Sequence, residues 1–85
     1  MKTITIDCTS IQDRRQLHEA IASALNFPEW YGHNLDALYD CLSEISLPTT
    51  LRLDSWDPHA DWAQGFAETL CDAAQDNPSL SVCIQ

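Results

Sequence analysis

The chain has 85 residues, four Lys or Arg against 13 Asp or Glu, and a formal net charge of −9. That length predicts one domain, 1–85, with a modest core and no deep enclosed substrate cavity. The negative field repels nucleic acid and anionic membranes and attracts basic proteins or cationic ligands, and periodic apolar segments, with 45% hydrophobic residues overall, exclude a disordered chain.

The opening MKTITIDCTS has no apolar stretch of the kind a secretory leader needs, and no window approaches a membrane span. A cytoplasmic protein is expected. Within residues 3–7, Ile4 and Ile6 alternate with threonines, predicting a first strand. Asp13 followed by Arg14-Arg15-Gln16 has the form of a capping box, and Leu17, Ala20, Ile21, Ala24 and Leu25 behind it recur at helical spacing.

The run Phe27-Pro28-Glu29-Trp30-Tyr31-Gly32 breaks that helix, since proline disfavours helical geometry before it and glycine permits a turn. A second helix is predicted over 33–43. Leu35, Leu38, Cys41 and Leu42 gather on one side of its wheel, and Asp36 and Asp40 on the other. Pro48 closes the region, and 49–53 (TTLRL) reads as a second strand. Residues 54–59 are turn-like, with room for a short helix near Trp56. A third helix is predicted over 61–76, with Trp62, Phe66, Leu70 and Ala73 inward and Glu68, Asp72 and Asp76 outward, stopped by Asn77-Pro78. Residues 80–84 (LSVCI) form the last strand. Strands separated by helices imply parallel pairing through right-handed crossovers, hence an α/β fold: a small three-stranded parallel sheet packed against helices.

Cys8, Cys41, Cys71 and Cys83 show no CxxC or Cys/His zinc spacing and are expected to be reduced thiols, Cys41 and Cys83 as packing residues. His18, His33 and His59 are dispersed, and no phosphate-cradling glycine loop or nucleophile elbow occurs. Asp36 and Asp40, spaced i,i+4, repel each other by a few tenths of a kcal/mol. Asp72 and Asp76 repeat the spacing near a helix C-terminus, where the dipole already disfavours carboxylates. Two locally disfavoured acidic pairs suggest a surface awaiting a cation, metal or guanidinium. Trp30, Tyr31 and Tyr39 lie beside the first pair, and aromatics next to carboxylates suit a protein-binding surface.

The segment LNFPEWYGHNLDALYDCL, residues 25–42, strongly resembles the barstar family of ribonuclease inhibitors, through its long Pro-Glu-aromatic-Tyr-Gly-x-Asn-Leu-Asp-Ala-Leu-aromatic-Asp run. The likeness extends more weakly along the chain, through Leu17-His18, the carboxylates of the third helix and the last strand. It implies the fold just predicted and a partner: a basic ribonuclease, barnase-like or a related toxin domain, blocked by the second helix and its preceding loop. By this resemblance Asp40 takes the place of a substrate phosphate and Asp36 pairs a second basic group. Trp30 stacks on the catalytic histidine of the enzyme. Tyr31, Gly32, Asn34, Ala37 and Tyr39 line the same surface; Asp72 supplies a rim charge and Asp76 a more peripheral one. The resemblance implies an intracellular immunity or antitoxin protein, monomeric when free, with no catalytic residue, cofactor or metal of its own.

The departures are specific. Tyr39 and Trp30 stand where the family has tryptophan and tyrosine, His33 replaces an acid, and the third helix carries aspartates in place of glutamates. Residues 44–47 are one residue shorter and lack a tryptophan. These changes point to a ribonuclease other than barnase. Two alternatives stay open on residues alone: a carboxylate-based or metal-dependent hydrolase using Asp36, Asp40 and Asp72, and an acidic binding module for a non-nuclease basic protein.

Overall fold

A computed structural model describes residues 2–85. Its elements are β1 (Lys2–Asp7), a 3-10 turn (Cys8–Ser10), α1 (Arg14–Leu25), α2 (Leu35–Ser43), β2 (Thr49–Asp54), α3 (Ala63–Asp76) and β3 (Leu80–Ile84). The strands form one parallel sheet in the order β1-β2-β3. This is the α/β architecture that the alternation of strands and helices predicts.

Register sets which face each strand residue serves. Ile4, Leu51 and Val82 lie in one row and Ile6, Leu53 and Ile84 in another, all part of or packed on the core. Thr5, Arg52 and Cys83 form the row between them, on the opposite face. Parallel sheets are usually covered on both sides; here the second face is polar enough to meet solvent. Arg52 Nε donates to Asp54 at 2.7 Å and its Nη2 to Gln85 at 3.1 Å. Cys83 therefore corrects one expectation: it sits half-exposed on this polar face, with its Sγ accepting from Gln85. Cys41 is buried in the core as expected, and all four cysteines are free thiols.

Leu17 and Ile21 of α1, Leu38 and Leu42 of α2, Leu51 and Leu53 of β2, and Phe66 and Leu70 of α3 make the fully buried centre. Each such side chain contributes about 1.5–3 kcal/mol by leaving water. Asp13 caps α1 as its sequence position predicts, accepting from the Gln16 N–H at 2.9 Å. The reciprocal arm differs from a capping box, because Gln16 Oε1 accepts from Gln12 at 2.7 Å. Asn26 ends α1 in the left-handed region, φ 57 and ψ 47. Helix α3 begins two residues later than predicted, at Ala63, because 60–62 form a turn, and residues 54–59 contain no helix.

Asn77 is buried and joins three segments. Its Nδ2 donates to the carbonyls of Leu42 and Ile45, each at 2.9 Å, and its Oδ1 accepts from Ser79. Both carbonyls lie at the C-terminal end of α2, where backbone acceptors lack helical partners. One side chain thus fixes the end of α2 to the turn between α3 and β3.

Candidate protein-docking surface

The loop between α1 and α2 presents one ring and buries another. Tyr31 N–H donates to the Pro28 carbonyl at 3.0 Å, closing a turn that leaves Trp30 at its tip, 73% exposed. Tyr31 itself is 4% exposed, which corrects its expected place on the binding surface. Its ring lies 5.1 Å from Phe27, and its hydroxyl meets Nδ1 of buried His18 at 2.6 Å. Tyr31 anchors the loop to α1 from beneath.

His18 packs on Phe66 with ring centroids 4.6 Å apart. Burial, followed by the nearby His33 and Arg14, lowers its pKa from 6.5 to about 4. Burial likewise raises the pKa of Tyr31 well above the usual phenol value. Both groups are neutral near pH 7, so the bond joins two uncharged partners. The Tyr31 hydroxyl makes no other hydrogen bond with the described residues. It must donate to Nδ1, since accepting would leave its own proton buried without a partner.

Helix α2 starts at Leu35, later than predicted, because His33 has φ 52 and Asn34 is extended. Asn34 caps the helix: its Oδ1 accepts from the Ala37 N–H at 2.8 Å and its Nδ2 donates to the Gly32 carbonyl at 3.3 Å. The left-handed residue of the turn is His33 and not Gly32, with His33 Nδ1 donating to the Tyr31 carbonyl at 3.1 Å. The glycine serves another purpose. A Cβ at Gly32 would lie 2.9 Å from Asn34 Nδ2 and displace the cap.

Beyond the cap, Asp36 and Asp40 stand exposed on the outer face of α2, while Ala37 is half-buried. Asp72 and Asp76 are exposed on α3. Tyr39 joins the two helices by donating its hydroxyl to Asp76. That bond, with Asp76 and Asp72 charges nearby, raises the Tyr39 pKa. Asp76 is thus engaged within the chain. Asp36, Asp40 and Asp72 make no ion pair or hydrogen bond with described side chains. The structure brings Asp36, Tyr39, Asp40, Asp72 and Asp76 onto adjoining faces of two packed helices, with the Trp30 loop leading into α2.

Sequence reasoning missed a cleft of about 230 Å³ at the N-terminal end of α2. Arg14, His18, His33, Asn34, Leu35, Asp61, Trp62, Gly65 and Phe66 line it. Leu35, expected in the apolar stripe, is 36% exposed and rests over Gly65, where a Cβ would approach its Cδ1 to 3.1 Å. The only signal along the chain was Arg14 one helical turn before His18. Among the described residues no three His, Cys, Asp or Glu side chains gather to hold a metal ion. No helix of the described residues is long and apolar enough to cross a membrane.

The family model described as Barstar (barnase inhibitor) matches residues 1–80. The chain is also 34% identical over 77 residues to the protein named "Putative ribonuclease inhibitor YrdF" from Bacillus subtilis (strain 168), an alignment spanning 89% of this chain and 85% of that protein. The chain belongs to the barstar family.

Proposed function

We propose that this member of the barstar family binds a basic ribonuclease and occludes its active site, using the acidic face of α2 and the loop before it. The observation that carries the reading is the set of exposed carboxylates, Asp36, Asp40 and Asp72, which make no hydrogen bond or ion pair with described side chains, on and next to a helix whose preceding loop exposes Trp30. Uncompensated like charges on adjoining helices add nothing to folding. Arg, Lys and His groups that bind a phosphodiester supply the donors that rigid carboxylates can satisfy. Asp40 is assigned the phosphate position, Asp36 a second basic group, and Trp30 the stacking contact. Gly32, Asn34, Ala37 and Tyr39 complete the surface, and Asp72 is a rim charge. Tyr31 and Asp76 act from within: Tyr31 holds the loop, and Asp76 holds Tyr39.

The net charge of −9 steers a cationic enzyme toward this face, so association slows with salt far more than dissociation quickens. The protein works as a stoichiometric cytoplasmic blocker of the immunity or antitoxin kind, monomeric when free and without catalysis of its own. The acidic pair lies on an open helix face and does not line the cleft, which argues against a hydrolase.

The test uses a basic, barnase-like ribonuclease that the wild-type protein inhibits: its cleavage of RNA is titrated with the wild-type protein and with Asp40→Ala. Removing one member of a desolvated charge pair costs about 2–5 kcal/mol, a general range to which complexes of the barstar family themselves contribute. Asp40→Ala should therefore weaken inhibition at least about thirtyfold while leaving thermal stability unchanged or slightly raised. Equal inhibition by both proteins would remove α2 as the inhibitory face. Capture of a basic protein that cleaves no RNA would favour the non-nuclease binding module.

A further inference from the structure

The cleft at the end of α2 has a polarity opposite to that of the surface beside it. Of the three arginines, Arg15 pairs with Glu19 at 3.0 Å and Arg52 with Asp54 at 2.7 Å. Arg14 makes no ion pair or hydrogen bond with the described residues and lines the cleft. His18 lines it too, 2% exposed. Because Tyr31 donates to Nδ1, the His18 proton resides on Nε2. That nitrogen has no partner within the described chain. No buried side-chain nitrogen or oxygen among the described residues is left unsatisfied, so Nε2 must reach the opening of the cleft. A fixed N–H donor thus sits at the end of a pocket with an unpaired guanidinium beside it.

We infer that this cleft is a carboxylate-receiving subsite, filled in the complex by an Asp or Glu side chain of the bound ribonuclease. The inference rests on the inhibitor reading above, and it adds a second contact of reversed polarity. The cleft is continuous with the docking surface through Leu35, the first residue of α2. Its volume of about 230 Å³ suits a side chain and not a second element of structure. Phe66 provides an apolar wall that strengthens a charge-assisted bond by excluding water. Asp61 also lines the cleft and opposes a second carboxylate. It weakens the subsite for any carboxylate, so a free anion binds there only weakly and the rest of the interface supplies the remaining affinity. His33 lines the cleft as well and brings no negative charge to its rim. The subsite would let this inhibitor discriminate among basic ribonucleases that share the same phosphate-binding centre.

The experiment uses sodium acetate as probe, with sodium chloride at equal ionic strength as control, followed by NMR at Arg14 Nε–H, His18 Nε2–H and the Leu35 amide. Acetate should produce saturable shifts at these three groups that chloride does not. Charge-assisted bonds at a partly open site predict that Arg14→Gln weakens acetate binding at least about threefold and that Asp61→Asn tightens it by a similar factor. In parallel, binding of the inhibited ribonuclease is measured for Arg14→Gln and Asp40→Ala, with each surface carboxylate of that enzyme replaced in turn. Coupling of Arg14 to one of those carboxylates supports the inference. Equal shifts from acetate and chloride, or acetate binding without any coupled carboxylate on an enzyme that Asp40→Ala releases, overturns it. If Asp40→Ala changes nothing, the inhibitor reading fails, and the acetate titration alone then decides for the cleft.

Discussion

His18 makes acid stability a direct test of the anchoring under the docking loop. Replace His18 with Gln, which fills similar space and takes up no proton. In the folded wild type the imidazole has a pKa of about 4, against an ordinary value of 6.5. The unfolded chain therefore binds a proton at His18 more readily than the folded chain does. Stability from this group is complete above pH 6.5, declines as pH falls from 6.5 to about 4, and is flat below that. At about 1.4 kcal/mol per unit the full difference is about 3.5 kcal/mol. Arg14 and His33 oppose a positive charge there and Tyr31 offers only a neutral hydroxyl; Asp61, which lines the same cleft, is the one group of opposite sign among its lining residues. Carboxylates such as Asp7, whose pKa is lowered by hydrogen bonds to Thr9, also lose stability in acid, but they do so in both proteins. The assay is urea denaturation of wild type and His18→Gln at intervals from pH 7 to pH 4. The wild type should lose its advantage over the variant progressively across that window. Parallel curves would refute the reasoning, since they would mean that His18 is charged in the fold or reaches water freely.

Two further perturbations probe the docking surface. Gly32→Ala should cost about 0.5–1 kcal/mol, the lower part of the range for a lost N-cap, because its Cβ meets the Asn34 amide; amide exchange at Ala37 should quicken, and an unchanged rate would remove the capping argument. Tyr39→Phe deletes the hydroxyl that binds Asp76 and should lower stability slightly; pairing it with Asp76→Asn in a double-mutant cycle should show coupling, and additive effects would mean that the two helices are held by packing alone.

Much of the fold was legible because its signals are local. The alternation of Ile4 and Ile6, the helical spacing from Leu17 to Leu25, the Asp13 cap and the Asn77-Pro78 stop all act within a few residues, and each appears where expected. What stayed illegible depends on partners remote in sequence. The run from Pro28 to Gly32 has no periodicity, so nothing in it distinguishes the buried Tyr31 from the exposed Trp30. Burial is decided by His18, 13 residues away. Helical wheels place Tyr39 between two faces but cannot supply Asp76, 37 residues later. The start of α2 was misplaced because His33 is an unexpected residue at positive φ. Cys83 was misassigned because an apolar-looking strand hides its parity, which only pairing with Arg52 reveals.

The same contacts explain how a surface of mutually repelling charges can be held still. Helix α2 has nine residues, too short to persist in water on its own propensity. Asp40 gains nothing from Asp36, and only Asp36 lies in the first turn, where the helix dipole favours a carboxylate. Order is imposed from outside the exposed face. Asn34 closes the N-terminal end, Asn77 binds carbonyls at the C-terminal end, Tyr39 ties the middle to α3, and Leu38, Cys41 and Leu42 are locked in the core. Below the preceding loop, Tyr31 and His18 do the same for Trp30. Docking then needs little further ordering of backbone, and the cost of immobilising the binding groups is met during folding and not during association. The repulsion among the carboxylates persists in the free protein because no neighbour within the described chain relieves it, and a cationic enzyme surface is the complement that the proposed function supplies.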